Sequence, residues 1–241
     1  LKLTRKKEAP KKGKVPLFDK LHDIKAGTPV GGGILLIVIV TVIFAFLFPF
    51  SSHMGVAIRS SFHLRTELFL IFFTFISFGL LGLSDDIVKI YGKARAGNLG
   101  MWIGLRRRDK FIVQWVLAFV ISFILYKNLG IQILHIPLIE KTINLGIWYI
   151  PFASFVIVSF ANAFNITDGL DGLASGLLVI CLIAFGVIVA GNLDTPLSLF
   201  ISSWIGALIA FLYFNVWPAR IFLGDAGALS FGAMLAVIGL L

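Results

Sequence analysis

Three short motifs hold the residues best able to do chemistry. The first is Gly82-Leu83-Ser84-Asp85-Asp86-Ile87-Val88-Lys89. Two adjacent carboxylates repel, and a hard divalent cation relieves that repulsion, because Mg²⁺ favours one or two carboxylates together with waters and phosphate oxygens. Lys89 lies one helical turn beyond Asp85, placed to support the pair or to bind phosphate. On its own such a pair also reads as an ordinary solvated helix end. The second motif, Asn162-Ala163-Phe164-Asn165-Ile166-Thr167-Asp168-Gly169-Leu170-Asp171-Gly172, repeats polar residues at an interval of three. That interval sets Asp168 and Asp171 on one helix face, with Gly169 and Gly172 allowing tight turns or close approach of a ligand. Polar groups at membrane depth are costly unless they line a polar cavity, which favours a functional reading over a capped turn. The third runs from Asn215 through Trp217-Pro218 and Arg220 to Gly224-Asp225-Ala226-Gly227. Asp225 and the free N–H groups of the following helix could face a phosphate or metal, or Asp225 could simply be an N-cap.

Other polar segments carry less. Lys25-Ala26-Gly27-Thr28-Pro29-Val30-Gly31-Gly32-Gly33 is a glycine-rich lead able to cradle phosphate, but it lacks the P-loop pattern. Arg106-Arg107-Arg108 and Lys110 read first as anchors at the membrane surface, and second as contacts for anionic lipid or nucleotide phosphates. A single cysteine, Cys181, gives neither a disulfide framework nor a cysteine metal site.

The elements that position these motifs are membrane spans. The chain is 59% hydrophobic and only 14% charged over 241 residues, with its apolar residues in blocks rather than stripes, so a soluble fold is excluded. Seven blocks, at 34–50, 67–83, 111–126, 148–164, 173–190, 198–214 and 228–241, approach the roughly 20 residues that cross a bilayer. Spans of that continuity form helices, since lipid satisfies no exposed backbone. The predicted fold is an all-α polytopic transmembrane bundle: a basic segment at 1–33, then a membrane domain at 34–241 with site-bearing loops at 84–110, 165–172 and 215–227. A net charge of +9 would suggest nucleic acid in a soluble protein. Here 17 of the 21 lysines and arginines fall in the N-terminal segment and those three loops, which places them in the cytoplasm and excludes a nucleic-acid role. Six of the nine acidic residues after the N-terminal segment share that side. Basic groups and carboxylates beside apolar walls suit phosphoryl transfer between a water-soluble substrate and a lipid phosphate.

In order and topology, Asp-Asp-x-x-Lys, Asn-x-x-Asn-x-x-Asp-Gly-x-Asp-Gly and Gly-Asp-x-Gly resemble the polyprenyl-phosphate N-acetylhexosamine-1-phosphate transferase superfamily, over residues 22 to 232. His22, Lys25 and Gly27-Thr28-Pro29 before Gly32-Gly33 look like its phospho-N-acetylmuramoyl-pentapeptide transferase branch. The resemblance implies an enzyme of the bacterial plasma membrane, with its N-terminus and active site cytoplasmic. That enzyme transfers phospho-N-acetylmuramoyl-pentapeptide from its UDP carrier to undecaprenyl phosphate, releasing UMP and forming lipid I for peptidoglycan, with Mg²⁺ required. It further implies a catalytic and metal cluster of Asp85, Asp86 and Asp225, with the metal chiefly on Asp225 and Asp85 as base. A phosphate monoester is already ionised at neutral pH, so an electrostatic role for Asp85 ranks above that of a base. Lys89 would contact diphosphate, and Asn165, Asp168 and Asp171 would form the uridine and metal-proximal wall. Asn162, Asn215 and Lys25 join the substrate-binding set by the same matching, and dimerisation through apolar spans is allowed.

Several departures stand out. The family begins with a further span and continues through a His-His-His loop, and both are missing here, so the polypeptide as given is expected to be truncated at both ends and inactive. Ala228 stands where the family has serine, and Val30-Gly31 replaces Thr-Met. The competing readings are a sister transferase using UDP-N-acetylglucosamine, a cation-coupled transporter and a non-catalytic scaffold. A transporter would set its carboxylates near the midplane rather than at helix ends.

Overall fold

The computed structural model describes residues 27–91, 107–136 and 141–241. Within them the chain is an all-α bundle of seven helices: α1 (Gly32–His53), α2 (Leu64–Tyr91), α3 (Arg107–Asn128), α4 (Tyr149–Thr167), α5 (Leu173–Gly191), α6 (Thr195–Asn215) and α7 (Gly224–Leu240). Each apolar block expected to span lies on one of these helices. The first six are long and apolar enough to cross a membrane, while α7 is a shorter apolar helix of 17 residues. The protein is a multi-pass membrane protein, and its outward face carries side chains suited to lipid, among them Phe46, Ile180 and Val187, each at least 66% exposed.

The short helix forms the centre. Every residue of α7 from Ala226 to Ile238 is buried, with α2, α4 and α1 packed around it. Small residues make that enclosure possible, as in helix pairs that associate in membranes through Gly, Ala and Ser. A Cβ on Gly232 would lie 2.7 Å from the Ala161 Cα of α4. Aromatic rings fill the space beside it, where Phe231 of α7 lies 5.0 Å from Trp204 and 5.7 Å from Phe75 between ring centroids. Trp204, Phe75 and Phe231 are fully buried.

Three local features differ from the sequence expectation. Helix α2 does not end where its apolar block ends but runs through Asp85, Asp86 and Lys89 to Tyr91. Its 28 residues extend about 42 Å, more than the roughly 30 Å of hydrocarbon, so the charges mark the edge of the apolar layer rather than of the helix. Asp168 and Asp171 do not share a helix face: α4 stops at Thr167, residues 168–172 form a turn, and Gly172 adopts φ 75° before α5 begins. Between α3 and α4 an antiparallel hairpin of β1 (Ile133–Ile136) and β2 (Lys141–Asn144) occupies part of what reads as a plain loop.

The bundle end away from the carboxylate motifs is closed by other carboxylates. Asp194 caps α6 by accepting the Leu197 N–H at 3.1 Å and also takes the Ser61 N–H at 2.9 Å, while the Ser60 hydroxyl donates to the buried Glu67.

Candidate active site

At the other end, three helices converge on four charges. Asp85 and Lys89 come from the last turns of α2, Lys110 from the first turn of α3, and Asp225 from the first turn of α7. The Lys110 Nζ lies 2.5 Å from Asp85 Oδ2 and 2.7 Å from Asp225 Oδ2. Lys89 Nζ approaches the same two oxygens, at 3.2 Å and 2.8 Å. Two ammonium groups thus bridge one pair of carboxylate oxygens. The Asp85, Asp225 and Lys110 side chains are 6%, 13% and 14% exposed, whereas Lys89 is 56% exposed and marks the open side.

Asp86 does a different job. Its Oδ1 accepts the Asp225 N–H and its Oδ2 the Ala226 N–H, each at 3.0 Å. The carboxylate of one helix therefore caps the N-terminus of another, where the helix dipole and unsatisfied amides favour negative charge. Two of the helix N-terminal amides that could have faced a phosphate or metal, those of Asp225 and Ala226, are satisfied by Asp86. This cap needs α2 and α7 nearly in contact, and glycine permits it: a Cβ on Gly82 would overlap the Asp225 carbonyl. Gly224 turns the chain into α7 at φ 78°, with Asp86 Oδ2 2.7 Å from where its Cβ would be.

The glycine-rich lead packs here as well, but not as a phosphate cradle. The Gly32 N–H donates to the Phe222 carbonyl at 2.9 Å and the Gly33 N–H to the Leu223 carbonyl at 2.7 Å, while the Phe222 N–H returns to Pro29. Its amides hold the segment that leads into Asp225. Lys25 and His22 lie outside the described residues.

Asn215, buried at the end of α6, joins the second and third motifs. Its Oδ1 accepts the Gly172 N–H at 3.2 Å and the Ser175 hydroxyl at 3.1 Å, and its Nδ2 donates to the Ile221 carbonyl at 3.0 Å. Asp171 Oδ2 takes the Ala219 N–H at 3.1 Å, a second tie between these loops. Asn165 sits on the last turn of α4 and Asp168 just after it. Asn162 is directed elsewhere, to Gln114 Oε1 of α3 at 2.7 Å and to the Val158 carbonyl at 2.8 Å.

Lys110 is the member of the cluster that sequence reasoning ranked too low. It closes a basic run and reads as an anchor, and only the rotation of α3 shows that it faces Asp85 and Asp225. The usable signal was Gln114, one turn farther on, a lone amide in an apolar block.

A hard cation fits the donor set. Asp85 Oδ2 and Asp225 Oδ2 already share cationic partners, and Mg²⁺ needs few protein ligands when phosphates and waters complete its shell. Among the described residues no group of three or more His, Cys, Asp or Glu forms a complete metal site, so such an ion would draw its remaining ligands from substrate and water.

The profile of glycosyl transferase family 4 matches residues 68–241, which include all four charges of the cluster and Asp86. A phospho-N-acetylmuramoyl-pentapeptide-transferase of Caldanaerobacter subterraneus subsp. tengcongensis is 36% identical over 222 residues, covering 92% of this chain and 63% of the relative. Proteins of the same description from Clostridium novyi and Listeria monocytogenes are 35% and 34% identical, covering 91% and 92% of this chain. The chain spans 62–63% of the length of these relatives. By the match over most of its length, the chain belongs to glycosyl transferase family 4.

Proposed function

We propose that this chain carries the metal and phosphate centre of a Mg²⁺-dependent transferase that moves phospho-N-acetylmuramoyl-pentapeptide from its UDP carrier to undecaprenyl phosphate, releasing UMP and forming lipid I. The observation that carries this reading is the pair of lysines bridging Asp85 and Asp225 at one end of a membrane bundle. The description shared by the relatives supports the choice of sugar donor. The basic excess on this side supports a cytoplasmic site in the bacterial plasma membrane.

Charge counting supports the cation. Two lysines and two aspartates cancel, and Asp86 adds a negative charge balanced in part by the α7 dipole. A diphosphate and a lipid phosphate brought together here need further positive charge. Asp85 and Asp225 would hold a Mg²⁺ ion here, and that ion, its shell completed by phosphate and water oxygens, would supply the missing positive charge.

In the reaction, an oxygen of the lipid phosphate bonds to the sugar-bearing phosphorus of the donor. The bond from that phosphorus to the bridging oxygen breaks, and UMP leaves with that oxygen. Lys89, on the open side, meets the incoming phosphates, and Lys110 holds the two carboxylates in place from within. Asp85 acts through charge, since the attacking phosphate is ionised at neutral pH and needs no strong base. Asp86 fixes the backbone that bears Asp225. The loops tied by Asn215 and Asp171 form the wall for the nucleotide, with Asn165 and Asp168 at its rim.

The test supplies the full-length protein in detergent with undecaprenyl phosphate, Mg²⁺ and either UDP-N-acetylmuramoyl-pentapeptide or UDP-N-acetylglucosamine, and follows UMP. Release with the pentapeptide donor alone is expected. Release only with the N-acetylglucosamine donor would assign the protein to a sister transferase, and no Mg²⁺-dependent release from either would refute the transferase reading.

A further inference from the structure

We infer that Gln114, through its hydrogen bond to Asn162, is a positioning residue that sets the rotation and depth of α3 so that Lys110 reaches both Asp85 and Asp225. The inference rests on the proposed transferase reading only for its effect on turnover. Lys110 must meet oxygens from two other helices, α2 and α7, and both contacts are short. Rotating α3 by one residue turns its side chains by about 100° and moves Lys110 off both. Apolar packing is non-directional and resists such a slip weakly, whereas an amide pair in an apolar seam has one satisfied geometry.

The seam between α3 and α4 carries two polar links in matching register. Gln114 pairs with Asn162, and eight residues farther along α3, eight back along α4, Ser122 pairs with Ser154 at 3.1 Å. Gln114 is 1% exposed and lies one helical turn from Lys110, so the link nearer the site acts on Lys110 with the shortest lever. Asn162 therefore serves the site from behind, through α3. Its second bond, to the Val158 carbonyl, survives when Gln114 is replaced.

The experiment uses the full-length protein in detergent and two variants. Gln114→Met removes the amide at nearly constant volume. Gln114→Asn combined with Asn162→Gln exchanges the two side chains and keeps an amide pair across the seam. Acylation of Lys110 by N-hydroxysuccinimide acetate, read by peptide mass spectrometry, reports its exposure without reference to activity. In Gln114→Met the labelling rate of Lys110 should rise severalfold. Turnover should fall by about tenfold with KM for the UDP donor little changed, since misplacement by about 1 Å costs up to about 10²-fold. The exchanged pair should restore the slow labelling of Lys110. Wild-type labelling of Lys110 in a folded Gln114→Met protein overturns the inference, as does an exchanged pair that labels as fast as Gln114→Met. Faster labelling beside a wild-type protein that releases no UMP supports the positioning role and refutes the transferase reading instead.

Discussion

Replacing Asp86 with asparagine should separate its structural work from the charge chemistry of its neighbours. Both Asp86 oxygens accept buried backbone N–H groups of α7, at 3.0 Å. Asparagine keeps one oxygen for one amide and turns its own NH₂ toward the other. A hydrogen bond to a charged acceptor contributes about 1.5–3 kcal/mol, and a stranded buried N–H costs about 1–3 kcal/mol. Asp86→Asn should therefore destabilise the bundle by about 3 kcal/mol, lowering Tm by at least about 5 °C. Hydrogen exchange followed by mass spectrometry should show lost protection in the first turn of α7. The control is Asp225→Asn, which leaves these contacts intact because Asp86 binds the Asp225 backbone and not its side chain. If Asp86→Asn melted with Asp225→Asn and wild type, and α7 kept its protection, the cap would be an incidental contact and this reasoning would fail.

Two further perturbations probe the same framework. Gly82→Ala would drive its Cβ into the Asp225 carbonyl and set it 2.6 Å from the Ala226 Cα, against at least 3.4 Å for ordinary contact, so α7 must retreat by about 1 Å or more at a cost of about 1–3 kcal/mol. Turnover should fall with Tm, and an alanine variant with wild-type turnover would show that close approach of α2 and α7 is not required. Asn215→Leu removes three hydrogen bonds joining two loops, worth about 3 kcal/mol together. Unfolding by sodium dodecyl sulfate at lower detergent fraction is expected, and an unchanged midpoint would contradict the tie.

The membrane helices were legible in the sequence because apolar blocks of bilayer length admit few other structures in lipid. So were Asp85, Lys89 and Asp225, whose residue types and positions at helix ends mark them in the linear chain. What was not legible depended on rotation and on partners distant in sequence. Locally, Lys110 differs from Arg108 only in standing one helical turn before Gln114, and its place in the cluster shows once α3 is docked against α4. The free-looking amides of Asp225 and Ala226 belong to Asp86, 139 and 140 residues away. Asn162, periodic with Asn165, Asp168 and Asp171, pairs across α3, and the helix that would have aligned those aspartates stops at Thr167. Gly169 and Gly172 read as turns or as room for a ligand, and Gly172 does turn at φ 75°, whereas Gly82 and Gly227 let helices touch. Gly33, at the Gly227 contact, shows the same use.

The most direct measurement of the central claim is UMP release by full-length Asp225→Asn protein supplied with UDP-N-acetylmuramoyl-pentapeptide, undecaprenyl phosphate and Mg²⁺, with Tm recorded on the same preparation. The expected result is a Tm near that of the wild type with turnover abolished, because the carboxylate shared by both lysines is gone while the fold around it stands. Wild-type turnover in a well-folded Asp225→Asn protein would contradict the account.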